Sequence, residues 1–170
     1  MANLNIESRQ GDRVILDLLR NMGASITANE TAIKVKRSKL NAIRADLSHC
    51  IDLLPTMAVL AAVADGVSEF TGIERARLKE SNRVSVLREG LNRMGTKVVE
   101  ERDRLAIVGS RPKGSVIDPK DDHRMAMSFG ILGTSVGDTV IDNAECVAKT
   151  YPEFWEVLKN IGGDVKIDGE

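Results

Sequence analysis

A chain of 170 residues with 42% hydrophobic side chains and a formal net charge of −1 has the composition of a core-forming protein of about one domain. Its 24 basic and 25 acidic side chains nearly cancel and only 3% of its residues are aromatic, so we expect no nucleic-acid partner. The longest apolar run, residues 57–64, is far shorter than a membrane span, and no leader-like segment occurs, so we expect a cytoplasmic protein without a membrane partner.

Three amphipathic helices of similar sequence are predicted in chain order, and each ends at a glycine: Gly23, Gly95 and Gly162. Apolar residues recur at three- and four-residue spacing in each helix, and glycine can take the left-handed conformation that often ends a helix. A strand is expected after each glycine. Residues 26–35 and 98–108 carry β-type side chains around a polar centre, which predicts a β-hairpin in each.

Two other segments, residues 55–64 and 125–136, are rich in Ala, Met, Leu, Gly and Val and carry almost no charge. A helix that is apolar on all sides must be buried, so both segments are predicted to form core helices. Each continues through a glycine turn into a short strand, predicted at residues 67–70 and 139–141.

The predicted elements repeat in the order buried helix, strand, amphipathic helix and β-hairpin, with a period of roughly 70 residues. This order predicts an α/β fold in which similar units pack around a shared helical core, with residues 1–170 forming a single domain. The first copy has no buried helix before it, so we expect the fold to be incomplete on its N-terminal side.

Two polar clusters stand at predicted helix starts, at residues 77–83 and 121–125. The unpaired N–H groups of a helix N-terminus attract anions, so basic side chains gathered there predict a site for a phosphate or carboxylate. Asp52 precedes the first buried helix at a matching position, and Lys149 in the third copy corresponds to Lys79. Because these residues recur at equivalent ends of successive units, we expect them to converge on one site.

The first cluster also has a structural explanation, in which Ser81 or Asn82 caps the helix and the charges are solvated. The first copy of the repeat carries Gln-Gly-Asp-Arg at the equivalent residues 10–13 and lacks the lysine and the glutamate. The repeated unit therefore does not require these two charges, which favours a functional role.

The remaining candidates have structural alternatives as well. Asp122 would cap the second buried helix, with His123 and Arg124 at the surface, but an arginine at the start of a buried helix favours an anionic ligand. For Asp52, a capping role and a functional role are about equally supported, and Lys149 would otherwise be a solvated loop lysine. Neither the two cysteines nor the two histidines have the paired spacing of a zinc site, so no metal is predicted.

The segments 77–83, 122–127 and 148–150 resemble three signatures of the EPSP synthase family in residue type, order and spacing. Similarity extends over essentially the whole chain. The resemblance implies an enolpyruvyl transferase-type α/β fold of two domains, each built from βαβαββ units with buried helices and outer sheets. This chain would be most of the carboxy-terminal domain, and its residues 1–6 would fall within a strand of the family fold.

The resemblance implies transfer of the enolpyruvyl group of phosphoenolpyruvate to the 5-hydroxyl of shikimate 3-phosphate in the shikimate pathway, through a tetrahedral addition intermediate and without a cofactor. Such a reaction needs proton transfer and charge compensation for a phosphate and a carboxylate. The implied partners are the two substrates and the missing N-terminal domain of the same polypeptide, and the complete enzyme is expected to be monomeric. This chain alone would carry about half the active site and be inactive.

Carried over residue by residue, the resemblance implies that Asp52 holds the shikimate hydroxyls and acts as the base, with Glu80 and Lys149 as the other candidates for proton transfer. Lys79 is expected beside Asp52. The implied ligands of the phosphate and carboxylate of phosphoenolpyruvate are Arg83, Arg124 and Lys149, with His123 in a supporting role.

One residue departs from the family pattern, which usually has aspartate where this chain has Asn82. Asparagine can still cap a helix, so we expect the local geometry to be retained, with some change in how firmly Arg83 is oriented. An unchanged phosphoenolpyruvate affinity in an Asn82→Asp variant of the full enzyme would count against that change.

Two other functions remain as alternatives. One is a fragment of the sister enolpyruvyl transferase that acts on UDP-N-acetylglucosamine, although the Lys79-Glu80 pair and residues 123–127 favour the shikimate enzyme. The other is a non-catalytic anion-binding module, because sites of this kind are completed by closure of two domains.

Overall fold

The computed structural model describes residues 10–167 of the chain. The α-helices in this range are α1 (Ile15–Asn21), α2 (Leu54–Ala62), α3 (Arg83–Arg93), α4 (His123–Val136) and α5 (Phe154–Asn160). The strands are β1 (Ser25–Ala28), β2 (Ile33–Lys36), β3 (Arg44–Asp46), β4 (Val67–Thr71), β5 (Val98–Glu101), β6 (Arg104–Val108), β7 (Val116–Ile117) and β8 (Val140–Ile141). Across residues 10–167, no helix has both the length and the apolar character needed to cross a bilayer.

The predicted repeat is present, and its second copy is a complete βαβαββ unit that runs from β3 to β6. Among residues 10–167, the first copy contributes α1 and the β1–β2 hairpin. The third contributes β7, α4, β8 and α5. The fold is therefore α/β, as expected, with one whole unit flanked by parts of two others.

The second unit builds a four-stranded sheet in the order β3-β4-β6-β5. Strand β3 runs parallel to β4, whereas β4–β6 and β5–β6 are antiparallel pairs. In the third unit β7 and β8 are also parallel, which repeats the relation between β3 and β4. The predicted hairpins at residues 26–35 and 98–108 are both confirmed.

The three amphipathic helices end in the same way. After each, Gly23, Gly95 and Gly162 have positive φ angles of 87°, 85° and 106°, as the repeat predicts. The next backbone N–H then donates to the carbonyl five residues earlier, as Thr96 does to Leu91 at 2.9 Å. This pattern satisfies carbonyls that the helix leaves unpaired and turns the chain into the following segment.

The core lies between the helices and the buried face of the four-stranded sheet. Helix α2 is enclosed on nearly every side, which confirms the burial expected of residues 55–64. Helix α4 is enclosed over its first half only, because Ile131 is 47% exposed and the side chains of Thr134 and Ser135 reach the surface. Burial of the whole of residues 125–136 was therefore too broad an expectation.

The sequence pattern did not predict two of the strands, and the strand expected after Gly162 does not form within residues 163–167. Strand β3 is three residues long and mostly polar, and β7 has two residues, so neither has the alternation that marks a strand. Beyond Gly162, residues 163–167 form no ladder with any strand in the described part of the chain. An extended segment needs a neighbour to become part of a sheet.

Candidate active site

The starts of three helices bring charged side chains to one place. Asp52 lies in the 3-10 turn Ile51–Leu53 directly before α2, Arg83 is the first residue of α3, and Asp122 is the N-cap of α4. Arg83 donates hydrogen bonds to both carboxylates, which links the three helix starts. We call this group, together with Lys79, Glu80 and Arg124, the helix-start cluster.

Arg83 is almost completely enclosed, with 1% of its surface exposed. Its Nε donates to Asp122 at 2.8 Å and its Nη1 donates to Asp52 at 2.8 Å. Its Nη2 donates to Glu80 at 2.6 Å and to the second oxygen of Asp122 at 3.3 Å. A buried guanidinium is stable only when carboxylates compensate for lost water, and here three carboxylates do so.

Asp122 is fully buried, and its carboxylate both caps α4 and bonds to the segment before and at the start of α3. Its side chain accepts from the backbone N–H of Arg124 at 3.0 Å, which caps α4, and also from the Ser81 hydroxyl at 3.0 Å. Burial alone would raise the pKa of this carboxyl, but the hydrogen bond and charge of Arg83, with the bond from Ser81, outweigh burial and lower it. Asp122 therefore remains a carboxylate at neutral pH.

Asp52 joins three cations. Its carboxylate lies 3.2 Å from the Lys79 ammonium, 2.8 Å from Arg83 and 3.6 Å from Arg124. Burial opposes ionisation, but the hydrogen bond from Lys79 and the charges of Arg124, Lys79 and Arg83 outweigh it, so the pKa of Asp52 is lowered. An ionised carboxylate beside cations can hold a hydroxyl and accept its proton.

The cluster opens to solvent on the side away from Arg83. The side chains of Asp52, Lys79, Glu80 and Arg124 are each about one third to two fifths exposed. Lys79, Arg83 and Arg124 balance the charges of Asp52, Glu80 and Asp122. An anion from solvent can reach Lys79 and Arg124 directly, whereas Arg83 accepts a new anionic partner only when a carboxylate leaves it.

Lys149 lies next to the helix-start cluster and bonds to a different carboxylate. Its ammonium donates to the side chain of Asp121 at 2.6 Å and to the Asp121 carbonyl at 2.8 Å. The hydrogen bond and charge of Asp121 raise the pKa of Lys149. Asp121 has a positive φ of 58°, an uncommon conformation for a residue with a side chain. Lys149 is thus bonded to the residue that directly precedes Asp122 in the chain.

His123 is buried, with 5% of its surface exposed, although the structural alternative put it at the surface. Its Nδ1 has no hydrogen-bond partner among residues 10–167. A buried ring nitrogen without a partner is uncommon in folded proteins. His123 is the first residue of α4 and follows Asp122 directly.

Asn82 caps α3, as expected. Its side-chain oxygen accepts from the backbone N–H of Ser85 at 3.2 Å. The orientation of Arg83 is set instead by hydrogen bonds to Asp122, Asp52 and Glu80. The asparagine thus keeps the local geometry of the helix start.

Sequence analysis considered Asp122, and either Ser81 or Asn82, as helix caps, and it missed the hydrogen bonds of Asp122 with Arg83 and Ser81. A capping pattern fully explained both residues locally, so nothing in their spacing pointed to a long-range pair. The chemistry of Arg83 could have predicted these contacts, because an arginine that is buried at the start of a helix needs buried hydrogen-bond acceptors.

A concave region lies elsewhere on the protein. It has a volume of about 860 Å³ and is lined by the second half of α4, β8 and the segment after α5, with Trp155 at its wall. None of the residues of the helix-start cluster lines it. We locate the candidate site at the cluster because the charged groups capable of acid–base and anion chemistry converge there.

Within residues 10–167, no three His, Cys, Asp or Glu side chains are placed so that they could hold a metal ion. Cys50 and Cys146 are free thiols, both buried. Burial raises the pKa of each thiol, which makes both less reactive than an exposed cysteine.

Comparison with protein-family models matches residues 1–158 to EPSP synthase (3-phosphoshikimate 1-carboxyvinyltransferase). A 3-phosphoshikimate 1-carboxyvinyltransferase of Dehalococcoides mccartyi is 50% identical over 168 residues, which cover 99% of this chain and 40% of the relative. One from Methanospirillum hungatei is 41% identical over 164 residues, covering 95% of this chain and 38% of the relative. The chain thus spans about two fifths of the length of these curated relatives.

Solved structures give the same result for the fold. An EPSP synthase from Acinetobacter baumannii superposes with a TM-score of 0.81 at 28% identity, covering 90% of this chain and 39% of the other. The enolpyruvyl transferase NikO from Streptomyces tendae superposes with a TM-score of 0.74 at 20% identity, which is a likeness of fold alone.

Proposed function

The chain belongs to the EPSP synthase family, and on that premise we propose that it supplies part of the active site of an enzyme that transfers an enolpyruvyl group. The donor is phosphoenolpyruvate and the acceptor is the 5-hydroxyl of shikimate 3-phosphate. The observation that carries the proposal is the helix-start cluster, in which one ionised aspartate, Asp52, contacts Lys79, Arg83 and Arg124.

The reaction begins with addition. The acceptor oxygen bonds to C2 of phosphoenolpyruvate, its proton passes to a carboxylate, and the methylene carbon takes a proton to become a methyl group. In the second step the bond from C2 to the phosphate oxygen breaks, phosphate leaves, and the methyl group loses a proton. Both steps need paired proton donors and acceptors near fixed cations.

Asp52 binds the hydroxyls of shikimate 3-phosphate and acts as the base. Its lowered pKa keeps it ionised at neutral pH, and Lys79 at 3.2 Å fixes its orientation. Glu80 is the second candidate for proton transfer, because its side chain is 42% exposed and only one of its carboxylate oxygens, Oε2, bonds to Arg83. Lys149 is the third.

Arg124, Arg83 and Lys149 bind the phosphate and carboxylate of phosphoenolpyruvate, with His123 in support. Arg124 is open to solvent and can accept an anion directly. Arg83 gains a substrate oxygen by exchange with Glu80, the most exposed of its three carboxylate partners. Lys149 joins when the substrate competes with Asp121 for its ammonium.

The remaining three fifths of the relatives' length would complete the site, so this chain alone should have negligible turnover. We propose that residues 1–170 belong to a single domain of a longer, monomeric, cytoplasmic enzyme. Measurable product formation by the isolated chain would contradict the need for the second part of the site.

Nuclear magnetic resonance of the labelled chain tests the proposal. Shikimate 3-phosphate and phosphoenolpyruvate at concentrations on the order of millimolar should shift signals of Asp52, Lys79 and Arg124, and leave those of Glu156 and Lys159 on α5 unchanged. The same titration with UDP-N-acetylglucosamine should have no effect. Shifts with the sugar nucleotide alone would favour the sister transferase.

A folded sample that shows no shifts should be tested again after addition of the remaining part of a relative. Shifts that appear only then mean that binding depends on both parts. If none appear, the substrates or the residue assignments are wrong.

A further inference from the structure

The segment that carries Lys79 and Glu80, residues 79–82, belongs to no helix or strand. Its side chains bond to the helix-start cluster, as Lys79 does to Asp52 and Ser81 does to Asp122. Leu78, just before the segment, is 86% exposed and does not anchor it in the core. Since no regular hydrogen-bond pattern fixes its backbone, the course of the segment also depends on what holds the chain on either side.

Arg77 fixes the segment at its beginning. Its Nε donates to the carbonyl of Arg102 at 3.1 Å, and its Nη2 donates to the carbonyl of Glu101 at 2.6 Å. Glu101 ends β5 and Arg102 begins the turn to β6, so both carbonyls lie at the tip of this hairpin. Its third nitrogen, Nη1, forms a short ion pair with the carboxylate of Glu100.

Glu100 also fixes the chain beyond the segment. Its Oε1 accepts from the Ser85 hydroxyl at 2.9 Å, and its Oε2 accepts from Arg88 Nε at 2.7 Å. Ser85 and Arg88 lie in the first two turns of α3, the helix that begins with Arg83. One carboxylate on β5 thus bonds to both flanks of the segment.

We propose that Glu100 is a positioning residue of the candidate active site, joining Arg77 to the start of α3 so that Lys79 and Glu80 meet Asp52 and Arg83. The proposal rests on the function proposed above for those four residues. Glu100 itself forms its hydrogen bonds and ion pairs with Arg77, Ser85 and Arg88 and with none of those four residues.

The burial of the contacts supports this role. The side chains of Glu100 and Arg77 are 16% and 21% exposed, so their ion pair is shielded from water more than an ordinary surface pair. Burial works against ionisation of Glu100, but hydrogen bonds from Arg77, Arg88 and Ser85 outweigh it and lower the pKa of Glu100. The carboxylate is therefore charged at neutral pH, where it attracts both arginines.

A Glu100→Gln variant of the 170-residue chain tests the role. The amide keeps the size of the side chain and loses the charge that holds Arg77 and Arg88. We expect the order parameters of the Lys79 and Glu80 amides to fall from about 0.85 to below about 0.6. The titration midpoint of Asp52 should rise, because Lys79 would be held less firmly beside it.

Glu101→Gln is the matched control. Glu101 is the next residue in the same strand, and its side chain pairs with Arg104 on the exposed face of the sheet. It makes no side-chain contact with Arg77, so neither the order parameters of residues 79–80 nor the Asp52 midpoint should change.

The proposal is overturned if folded Glu100→Gln protein keeps both the order parameters and the Asp52 midpoint of the unmodified chain. Should that variant not fold, Arg77→Lys takes its place, since lysine keeps the charge but cannot donate to both turn carbonyls and to Glu100. Unchanged values in that variant overturn the proposal equally. Neither measurement uses a substrate, so the result is independent of the proposed reaction.

Discussion

Arg83 connects the fold to the candidate chemistry, because the same side chain fills the space between three helix starts and orders their carboxylates. Its enclosure means that the carboxylates around it must stay charged. Asp122 is the most buried of these partners and has no exposed surface. Removing its charge therefore tests how strongly the cluster stabilises the protein.

Asp122→Asn should lower the free energy of unfolding by about 3 kcal/mol or more, since breaking a buried ion pair leaves its partner charge uncompensated. Asparagine can still cap α4, so the loss reports on the charge rather than on the cap. Urea denaturation at pH 7 measures it.

Asp17→Asn is the control, because Asp17 forms an exposed pair with Arg20 and should change stability by less than about 1 kcal/mol. The pH dependence of the free energy of unfolding provides a second measurement of the contribution of Asp122. The pKa of Asp122 is lowered on folding from 3.8, so its contribution is present above that pH and is lost as the pH falls through the folded value. A loss for Asp122→Asn no larger than the control's would contradict this account of the cluster.

Several candidate site residues predicted from the sequence lie together in the structure. Asp52, Lys79, Glu80, Arg83 and Arg124 all reach one cluster in the structure. The sequence did not show which residues these side chains would bond to. Hydrogen bonds between residues tens of positions apart, such as Arg83 to Asp122, follow from how helices pack and leave no trace in local spacing.

At the scale of elements, the site depends on the packing of α2, α3 and α4, since each helix carries one part of the cluster. Helices α3 and α4 come close where Gly90 of α3 faces Phe129 of α4. A Cβ atom built on Gly90 would lie 2.4 Å from the Phe129 ring. Phe129 is fully buried and cannot move aside without disturbing the core.

Gly90→Ala should therefore destabilise the protein, although alanine favours helix. The gain in helix propensity is about 1 kcal/mol, whereas overpacking a filled core costs about 1–3 kcal/mol. We expect a net loss of about 1 kcal/mol in urea denaturation. Glu89→Ala, on the exposed side of the same turn, should stay within about 0.5 kcal/mol. A more stable Gly90→Ala protein would show that the two helices have room to separate.

The elements that the sequence predicted well are those with strong local signals. Amphipathic periodicity with a terminal glycine located α1, α3 and α5, and uncharged composition located α2. Strands β3 and β7 were missed because segments of three and two residues are too short to show a strand pattern. Each becomes a strand only by pairing with its neighbour, β3 with β4 and β7 with β8. The exposure of the second half of α4 was missed because an apolar composition does not show how much of the helix other elements cover.

At the scale of the whole molecule, residues 10–167 form one complete βαβαββ unit and parts of two others, and the chain spans about two fifths of its relatives' length. The helix-start cluster faces solvent on one side, where Asp52, Lys79, Glu80 and Arg124 are partly exposed. Charge balance, convergence of helix starts and family membership together support a site that a second body of protein completes.

A chimera tests this account most directly: the chain replaces the matching 168 residues of the relative that is 50% identical. Phosphate release is then measured with shikimate 3-phosphate and phosphoenolpyruvate present. We predict turnover that needs both substrates and falls by two or more orders of magnitude in Asp52→Asn, in line with the loss of a general base. A folded chimera that neither releases phosphate nor binds either substrate would contradict the proposal that this chain carries its share of the active site.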